Sequence, residues 1–99
     1  MKSTYYERAE KILSQISSGE LKDHIVLDMV RPLTEIIVET GDSSFLRILA
    51  AENTEVCWRL VVSILDLAPA EHISKHRETV EMIRSKSEDP ATRRLAFEL

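Results

Sequence analysis

Residues 54–67 read Thr-Glu-Val-Cys-Trp-Arg-Leu-Val-Val-Ser-Ile-Leu-Asp-Leu, and this stretch decides the fold. Its apolar residues cover most of the circumference of a helix. The remaining narrow polar stripe consists of Glu55, Arg59, Ser63 and Asp66. A helix that is apolar on nearly all sides is buried on most of them. The sequence therefore predicts an α-helix at the centre of a bundle or in a contact between subunits.

Helical patterns continue on both sides of this stretch. Upstream, apolar residues at helical spacing predict a first helix over residues 4–17, a second over residues 20–40 and a short third helix after Ser44. Downstream, they predict a fifth helix over residues 69–85 and a sixth that begins at Pro90. The sequence shows no convincing alternation typical of strands. We therefore expect one all-α domain over residues 1–99, a bundle of five to six helices.

Pro32 lies inside the second predicted helix. A proline within a helix removes one hydrogen bond and clashes with the preceding turn. The apolar stripe continues on both sides of Pro32, which favours a kink in one helix. The alternative is two helices that are separated at Arg31 and Pro32.

Composition limits the classes of protein that fit. The chain has 99 residues, of which 43% are hydrophobic and 30% charged, as in ordinary globular domains. Its net charge of −4 is unlike that of a nucleic-acid-binding domain, so we expect no DNA binding by this chain itself. The sequence contains neither an apolar run of membrane-spanning length nor a signal-like N-terminus, and it has one cysteine, Cys57. These features predict a cytoplasmic protein without a membrane contact.

His72 and His76 have a spacing that can chelate a metal from one face of a helix. No glutamate stands between them as in a zinc-protease helix, and two ligands do not make a site. We therefore expect a surface pair of histidines, and the sequence leaves metal binding open. The sequence has neither a glycine-rich phosphate loop nor a nucleophile-elbow serine. We expect no enzyme activity, no catalytic residue and no cofactor.

Four large apolar residues are the candidates for a ligand pocket between the helices: Met29, Leu33, Phe45 and Trp58. Helical bundles often bind small molecules in such places. The alternative is that these side chains only fill the core.

Residues 24–49 read His-Ile-Val-Leu-Asp-Met-Val-Arg-Pro-Leu-Thr-Glu-Ile-Ile-Val-Glu-Thr-Gly-Asp-Ser-Ser-Phe-Leu-Arg-Ile-Leu. The segment from Met29 to Leu33, the turn at Gly41 and the helix start at Phe45 resemble the regulatory domain of tetracycline-repressor-type (TetR) transcription factors. The resemblance implies an effector-binding and dimerising part of a repressor, which senses a small, largely apolar molecule. Nothing in the chain matches the helix-turn-helix of that family, so we expect a fragment that lacks it.

A homodimer is expected because the helix over residues 54–67 needs cover on several sides. The fifth predicted helix offers a thin apolar stripe and the sixth is short, which leaves an apolar surface for a second copy. The alternative function is a small helical module for protein interaction or dimerisation, with no ligand. A wide cavity near Trp58 would favour the ligand-sensing domain, and a solid core with an exposed apolar face would favour the interaction module.

Overall fold

The computed structural model of the chain describes residues 4–18 and 22–99. Over these residues the chain is all-α, as predicted, and contains no strand. The helices are α1 (Thr4–Ser17), α2 (Asp23–Leu27), α3 (Val30–Thr40), α4 (Phe45–Ala50), α5 (Glu55–Leu67), α6 (Ala70–Lys75), α7 (Arg77–Lys86) and α8 (Pro90–Glu98). Two of the six predicted helices are each divided in two, which accounts for the difference in number. Within the same residues, no helix has the length and apolar character needed to cross a membrane.

α5 is the central helix of the domain. Its side chains at Leu60, Val61 and Ile64 have no exposed surface. α2, α3, α4, α6 and α8 all pack against it. Thr54 begins the helix, since its side-chain oxygen accepts a hydrogen bond from the backbone N–H of Cys57 at 3.3 Å. The predicted helix is confirmed, and helices of the same chain cover its apolar side chains except at its last residue, Leu67, which is 60% exposed.

The second predicted helix breaks at Asp28 and Met29, between α2 and α3. Its predicted start at residue 20 lies outside the described residues. Neither the kink at Pro32 nor the separation there is correct, because Pro32 is the third residue of α3. A proline ring clashes with the carbonyl four positions earlier, which belongs to Asp28. The break therefore falls one turn before the proline, and Pro32 lies in a first turn, where no helical N–H partner is lost.

The fifth predicted helix bends at His76, between α6 and α7. The backbone of His76 has φ −113° and ψ 23°, which is outside the helical range. Its N–H donates to the carbonyls of both His72 and Ile73 at 3.2 Å. The bend, which we call the α6–α7 joint, directs the ring of His76 toward the loop between α3 and α4.

α8 begins at Pro90, as predicted, and Asp89 is the N-cap residue before it. The Asp89 carboxylate accepts hydrogen bonds from the N–H and the hydroxyl of Thr92, at 3.2 and 2.6 Å. The start of α8 is also tied to α5. The carboxylate of Glu55 accepts the hydroxyl of Ser87 at 2.6 Å and the N–H of Glu88 at 2.8 Å. These bonds fix the α7–α8 loop against the first turn of the central helix.

Candidate functional site

Ser43 connects two buried histidines. Its hydroxyl oxygen lies 2.9 Å from Nδ1 of His72 and 2.9 Å from Nε2 of His76. All three side chains are buried, with 5%, 1% and 4% of their surface exposed. The expectation of a surface pair of histidines is therefore wrong. We call this group, His72–Ser43–His76, the histidine bridge.

The loop between α3 and α4 places Ser43 in the bridge. Gly41 ends α3 with φ +72°, a left-handed conformation that glycine adopts without a steric penalty. The Asp42 carboxylate then accepts the N–H and the hydroxyl of Ser44, at 2.9 and 2.7 Å. Ser44 therefore orders the loop and makes no side-chain cap on α4. Ser43, between them, turns its hydroxyl inward.

The hydroxyl of Ser43 couples the protons of the two imidazoles. It has one proton to donate, so it donates to one ring and accepts from the other. The carboxylate of Glu71 lies 3.8 Å from Nε2 of His72, which favours a proton on that nitrogen. Ser43 then donates to Nδ1 of His72 and accepts from Nε2–H of His76. This arrangement leaves Nδ1 of His76 as the only ring nitrogen of the bridge that is free to take a further proton.

His76 carries an uncompensated buried nitrogen. Its Nδ1 has no hydrogen-bond partner among residues 4–18 and 22–99. Burial lowers the pKa of His76 below the usual 6.5, and the positive charges of Arg47 and Lys75 lower that pKa further. His76 is thus held neutral inside a group of positively charged side chains.

A solvent-open pocket of about 360 Å³ lies over the bridge. Its lining residues are Gly41, Asp42, Ser43, Ser44, Arg47, Lys75 and His76. A neighbouring pocket of about 440 Å³ shares Arg47, Lys75 and His76 with the first. The same three side chains therefore border both pockets, which lie where α4 meets the α6–α7 joint.

The chemical types of a catalytic triad are present in Glu71, His72 and Ser43. The hydroxyl of Ser43, however, is engaged by two imidazoles at once and is almost fully buried. A nucleophilic serine needs a hydroxyl that can reach a substrate. These contacts suit a structural bridge better than a nucleophile. In the part of the chain that the structure describes, no group of three or more His, Cys, Asp or Glu side chains could hold a metal ion.

The four residues predicted to bind a ligand share the apolar core. Leu33, Phe45 and Trp58 are core members, with 0%, 7% and 7% exposure, and the half-buried Met29 packs against them. Trp58 donates its indole N–H to the carbonyl of Ala50 at 3.2 Å. Phe45 also borders a small pocket of about 130 Å³ beside α1. The role of these four residues in ligand binding stays a prediction. Cys57 is buried in the same core, at 2% exposure.

Sequence reasoning missed the histidine bridge. The helical spacing of His72 and His76 marks them as a pair, but nothing in the sequence marks Ser43 as their partner. Ser43 and His72 are 29 positions apart in the chain, and only the folded structure brings them into contact. No local pattern marks such a contact.

Comparison with protein-family models, with curated proteins and with solved structures finds no match for this chain. The resemblance of residues 24–49 to tetracycline-repressor-type regulatory domains therefore stays a prediction from sequence. The histidine bridge and its pockets are the features from which a function can be inferred.

Proposed function

We propose that this chain is the regulatory part of a tetracycline-repressor-type transcription factor, which senses a small molecule and dimerises. The observation that carries the proposal is the histidine bridge beneath the open pocket. It joins the α3–α4 loop to the α6–α7 joint, so one binding site contacts two connections between helices of the fold. The all-α architecture and the resemblance of residues 24–49 support the same class.

Sensing requires that a ligand binds two arrangements of the helices with different affinity. The α6–α7 joint is suited to this, because His76 lies outside helical geometry and its ring is held by a single bridging hydroxyl. A ligand that contacts Arg47 of α4 and Lys75 of α6 would bias the angle between α6 and α7. The output would then reach a partner domain through α7 and α8, which pack together.

The apolar core is the alternative site for the effector. Met29, Leu33, Phe45 and Trp58 would contact an apolar molecule there, as predicted from the sequence. Leu33 is fully buried and the indole of Trp58 is hydrogen-bonded, so such a ligand would have to displace packed side chains. The pocket over the bridge needs no such opening, and we therefore favour it.

Dimerisation is proposed through α3 and the end of α5. Val38 and Leu67 are 61% and 60% exposed and border one groove. Arg31 and Glu39 lie toward opposite ends of the same groove on α3. Antiparallel two-fold pairing of α3 with α3 of a second copy would oppose Arg31 to Glu39 and cover both apolar side chains. We propose this surface, the Val38–Leu67 groove, as the homodimer contact.

The test is a repression assay with the chain fused to a helix-turn-helix domain that represses a reporter only as a dimer. We expect the fusion to repress the reporter. We also expect this repression to be relieved when the growth medium of the host contains the effector. Val38→Gln with Leu67→Gln should abolish repression, whereas Ile48→Gln, at another site that is 54% exposed, should not. Absence of repression by the wild-type fusion would contradict the dimer, and the proposed function with it.

A small helical interaction module without a ligand is the second candidate. The observation that favours it is the packed core together with the exposed apolar groove at Val38 and Leu67. In the same assay such a module represses, but no medium or added small molecule relieves the repression. Neither function assigns DNA contacts to this chain, whose net charge is −4.

A further inference from the structure

We propose that the pocket over the histidine bridge binds the anionic group of a small molecule, a carboxylate or a phosphate, between Arg47 and Lys75, and that His76 takes up a proton as the anion binds. This inference rests on the proposed sensing function and names the chemical class of its ligand. It differs from the apolar effector that the sequence resemblance implies.

The cationic side chains of the pocket are available for an anion. Arg47 and Lys75 are exposed, border both pockets and form no ion pair with any carboxylate of the described residues. Asp42 is the one carboxylate among the lining residues of the first pocket. Its Oδ1 already accepts two hydrogen bonds from Ser44, which lower its pKa and hold it in the loop. The first pocket therefore has a local excess of positive charge although the chain is acidic.

The second pocket is lined by side chains of both charges, which suits the uncharged polar part of a ligand whose anionic group lies in the first pocket. It adds Arg77, Glu78 and Glu81 to the shared residues, so its own charges nearly balance. An acidic group would bind at the first pocket, and hydroxyl or amino groups attached to it would reach the carboxylates of the second. The two volumes, about 360 and 440 Å³, fit a small metabolite.

Proton uptake follows from the arrangement of the histidine bridge. A proton added to Nδ1 of His76 leaves both hydrogen bonds of Ser43, and the 3.8 Å contact between Glu71 and His72, intact. A second proton on His72, by contrast, would make Nδ1 of His72 donate to Ser43, and His76 would then have to move its own proton from Nε2 to Nδ1 to accept from the hydroxyl. His76 is therefore the ring that can become charged without a change in any donor or acceptor of the bridge.

A bound anion would supply the negative charge that the surroundings of His76 lack. Burial disfavours the protonated form of the His76 ring, and the positive charges of Arg47 and Lys75 disfavour it further. An anion between Arg47 and Lys75 would compensate those charges and raise the pKa of His76. By linkage, affinity for the anion must then increase as the pH falls.

Sulfate is the probe for this proposal, because its own charge does not change between about pH 5.5 and about pH 8. We would titrate the chain with sodium sulfate by two-dimensional NMR, using sodium chloride at equal ionic strength as the salt control. We expect shifts confined to residues 42–47 and 74–77, with affinity about three- to tenfold higher at the lower pH. Arg47→Gln and Lys75→Gln should each weaken binding about threefold or more, whereas Lys86→Gln, an exposed cation at the far end of α7, should not.

The proton is measured on the ring of His76 itself. Its NMR titration in wild-type protein should show a higher pKa in sulfate than in chloride, which needs no substitution of a buried residue. An unchanged pKa of His76, or affinity that is equal at both pH values, overturns the proton uptake. Shifts elsewhere on the surface, or equal effects of Lys86→Gln and Arg47→Gln, overturn the site.

Two further experiments define the preferred anion and distinguish a failure of this inference from a failure of the proposed function. Competition of acetate and of methyl phosphate against sulfate shows whether a carboxylate or a phosphate is preferred. If sulfate fails to bind while the reporter fusion is relieved by an effector, the sensing function stands and the anionic class is wrong. If sulfate binds as expected but the fusion never represses, the site stands and the proposed repressor function is wrong.

Discussion

The hydroxyl oxygen of Ser43 lies 2.9 Å from Nε2 of His76, although the two residues are 33 positions apart in the chain. This contact, with the equal one to His72, is a buried polar link between the loop that follows α3 and the joint between α6 and α7. Buried polar groups are stable only when their hydrogen bonds are satisfied. The side-chain hydrogen bonds that join the two segments therefore all pass through the hydroxyl group of Ser43.

Replacing Ser43 by alanine should destabilise the domain by about 1–3 kcal/mol, because two buried ring nitrogens lose their partner. Ser44→Ala is the matched control, since that hydroxyl bonds to Asp42 at the surface. We expect it to cost less than about 1 kcal/mol. Urea unfolding followed by circular dichroism measures both. If the two variants lose equal stability, the buried bridge contributes no more to folding than a hydrogen bond at the surface.

Stability should decrease as the pH falls below about 6.5. Burial and the neighbouring positive charges lower the pKa of His76 in the folded chain, so the unfolded chain takes up its proton at higher pH. The free energy of unfolding is then constant from about pH 7 to pH 8 and declines between pH 6.5 and the lowered pKa. His76→Gln should reduce this slope, and His24→Gln, at an exposed position, should leave it unchanged. A wild-type profile that is flat from pH 7 down to pH 5 contradicts the prediction.

Glu55→Gln should destabilise the domain by about 1–2 kcal/mol. The carboxylate accepts hydrogen bonds from the hydroxyl of Ser87 and the N–H of Glu88, and bonds to a charged acceptor are stronger than neutral ones. Asp66→Asn removes an exposed carboxylate from the same helix and should have an effect within about 0.5 kcal/mol. Thermal unfolding of the two variants under one buffer condition distinguishes them. If Asp66→Asn destabilises the domain as much as Glu55→Gln does, the loss of stability comes from the change in helix charge and not from the lost bonds to the α7–α8 loop.

Leu33→Ala should cost about 2–5 kcal/mol, because the side chain has no exposed surface and its removal leaves a cavity. Val38→Ala, five residues later in α3, should be close to neutral since 61% of that side chain is exposed. The comparison, made by chemical unfolding, also tests the core as an effector site. A core that already opens to hold a ligand would lose little stability on truncation of Leu33.

Glu35→Gln should strengthen self-association about two- to fivefold. Glu35 lies between Arg31 and Glu39 on the groove. In the proposed antiparallel dimer it is therefore near the two-fold axis and faces Glu35 of the second copy, and two exposed like charges repel each other weakly in water. Glu81→Gln on α7 serves as the control and should not change the dissociation constant. Sedimentation equilibrium at tens of micromolar measures it. A single species of 11.3 kDa at every concentration overturns the dimer.

Helices were predictable where local signals and burial agree. Residues 4–17 form α1 as predicted, Thr54 begins α5, and Asp89 with Pro90 begins α8. Both wrong bounds lie inside predicted helices. The break at Asp28 follows from a proline four residues later, because the proline ring clashes with the carbonyl one turn before it. The bend at His76 has neither glycine nor proline near it, and a tertiary hydrogen bond to Ser43 accompanies it.

The candidate site was less predictable than the fold for a physical reason. Helical periodicity reports which residues face the core, and it correctly placed Leu33, Phe45 and Trp58 there. It does not report which polar residues of distant segments meet in that core. Ser43 is adjacent to two residues that remain exposed, so its burial depends on the turn that Gly41 and Asp42 make together.

The enclosure of α5 by five other helices has a consequence for local opening of the fold. Backbone amides exchange with solvent only when their hydrogen bonds break, and amides in the most enclosed segment exchange only when the whole domain opens. The N–H groups of Leu60 and Ile64 should therefore exchange slowest and report the global free energy of unfolding. α6, a helix of six residues beside the joint, should exchange through smaller openings. We therefore expect the slowest exchange in α5 and faster exchange in α6, the helix that contributes His72 to the histidine bridge.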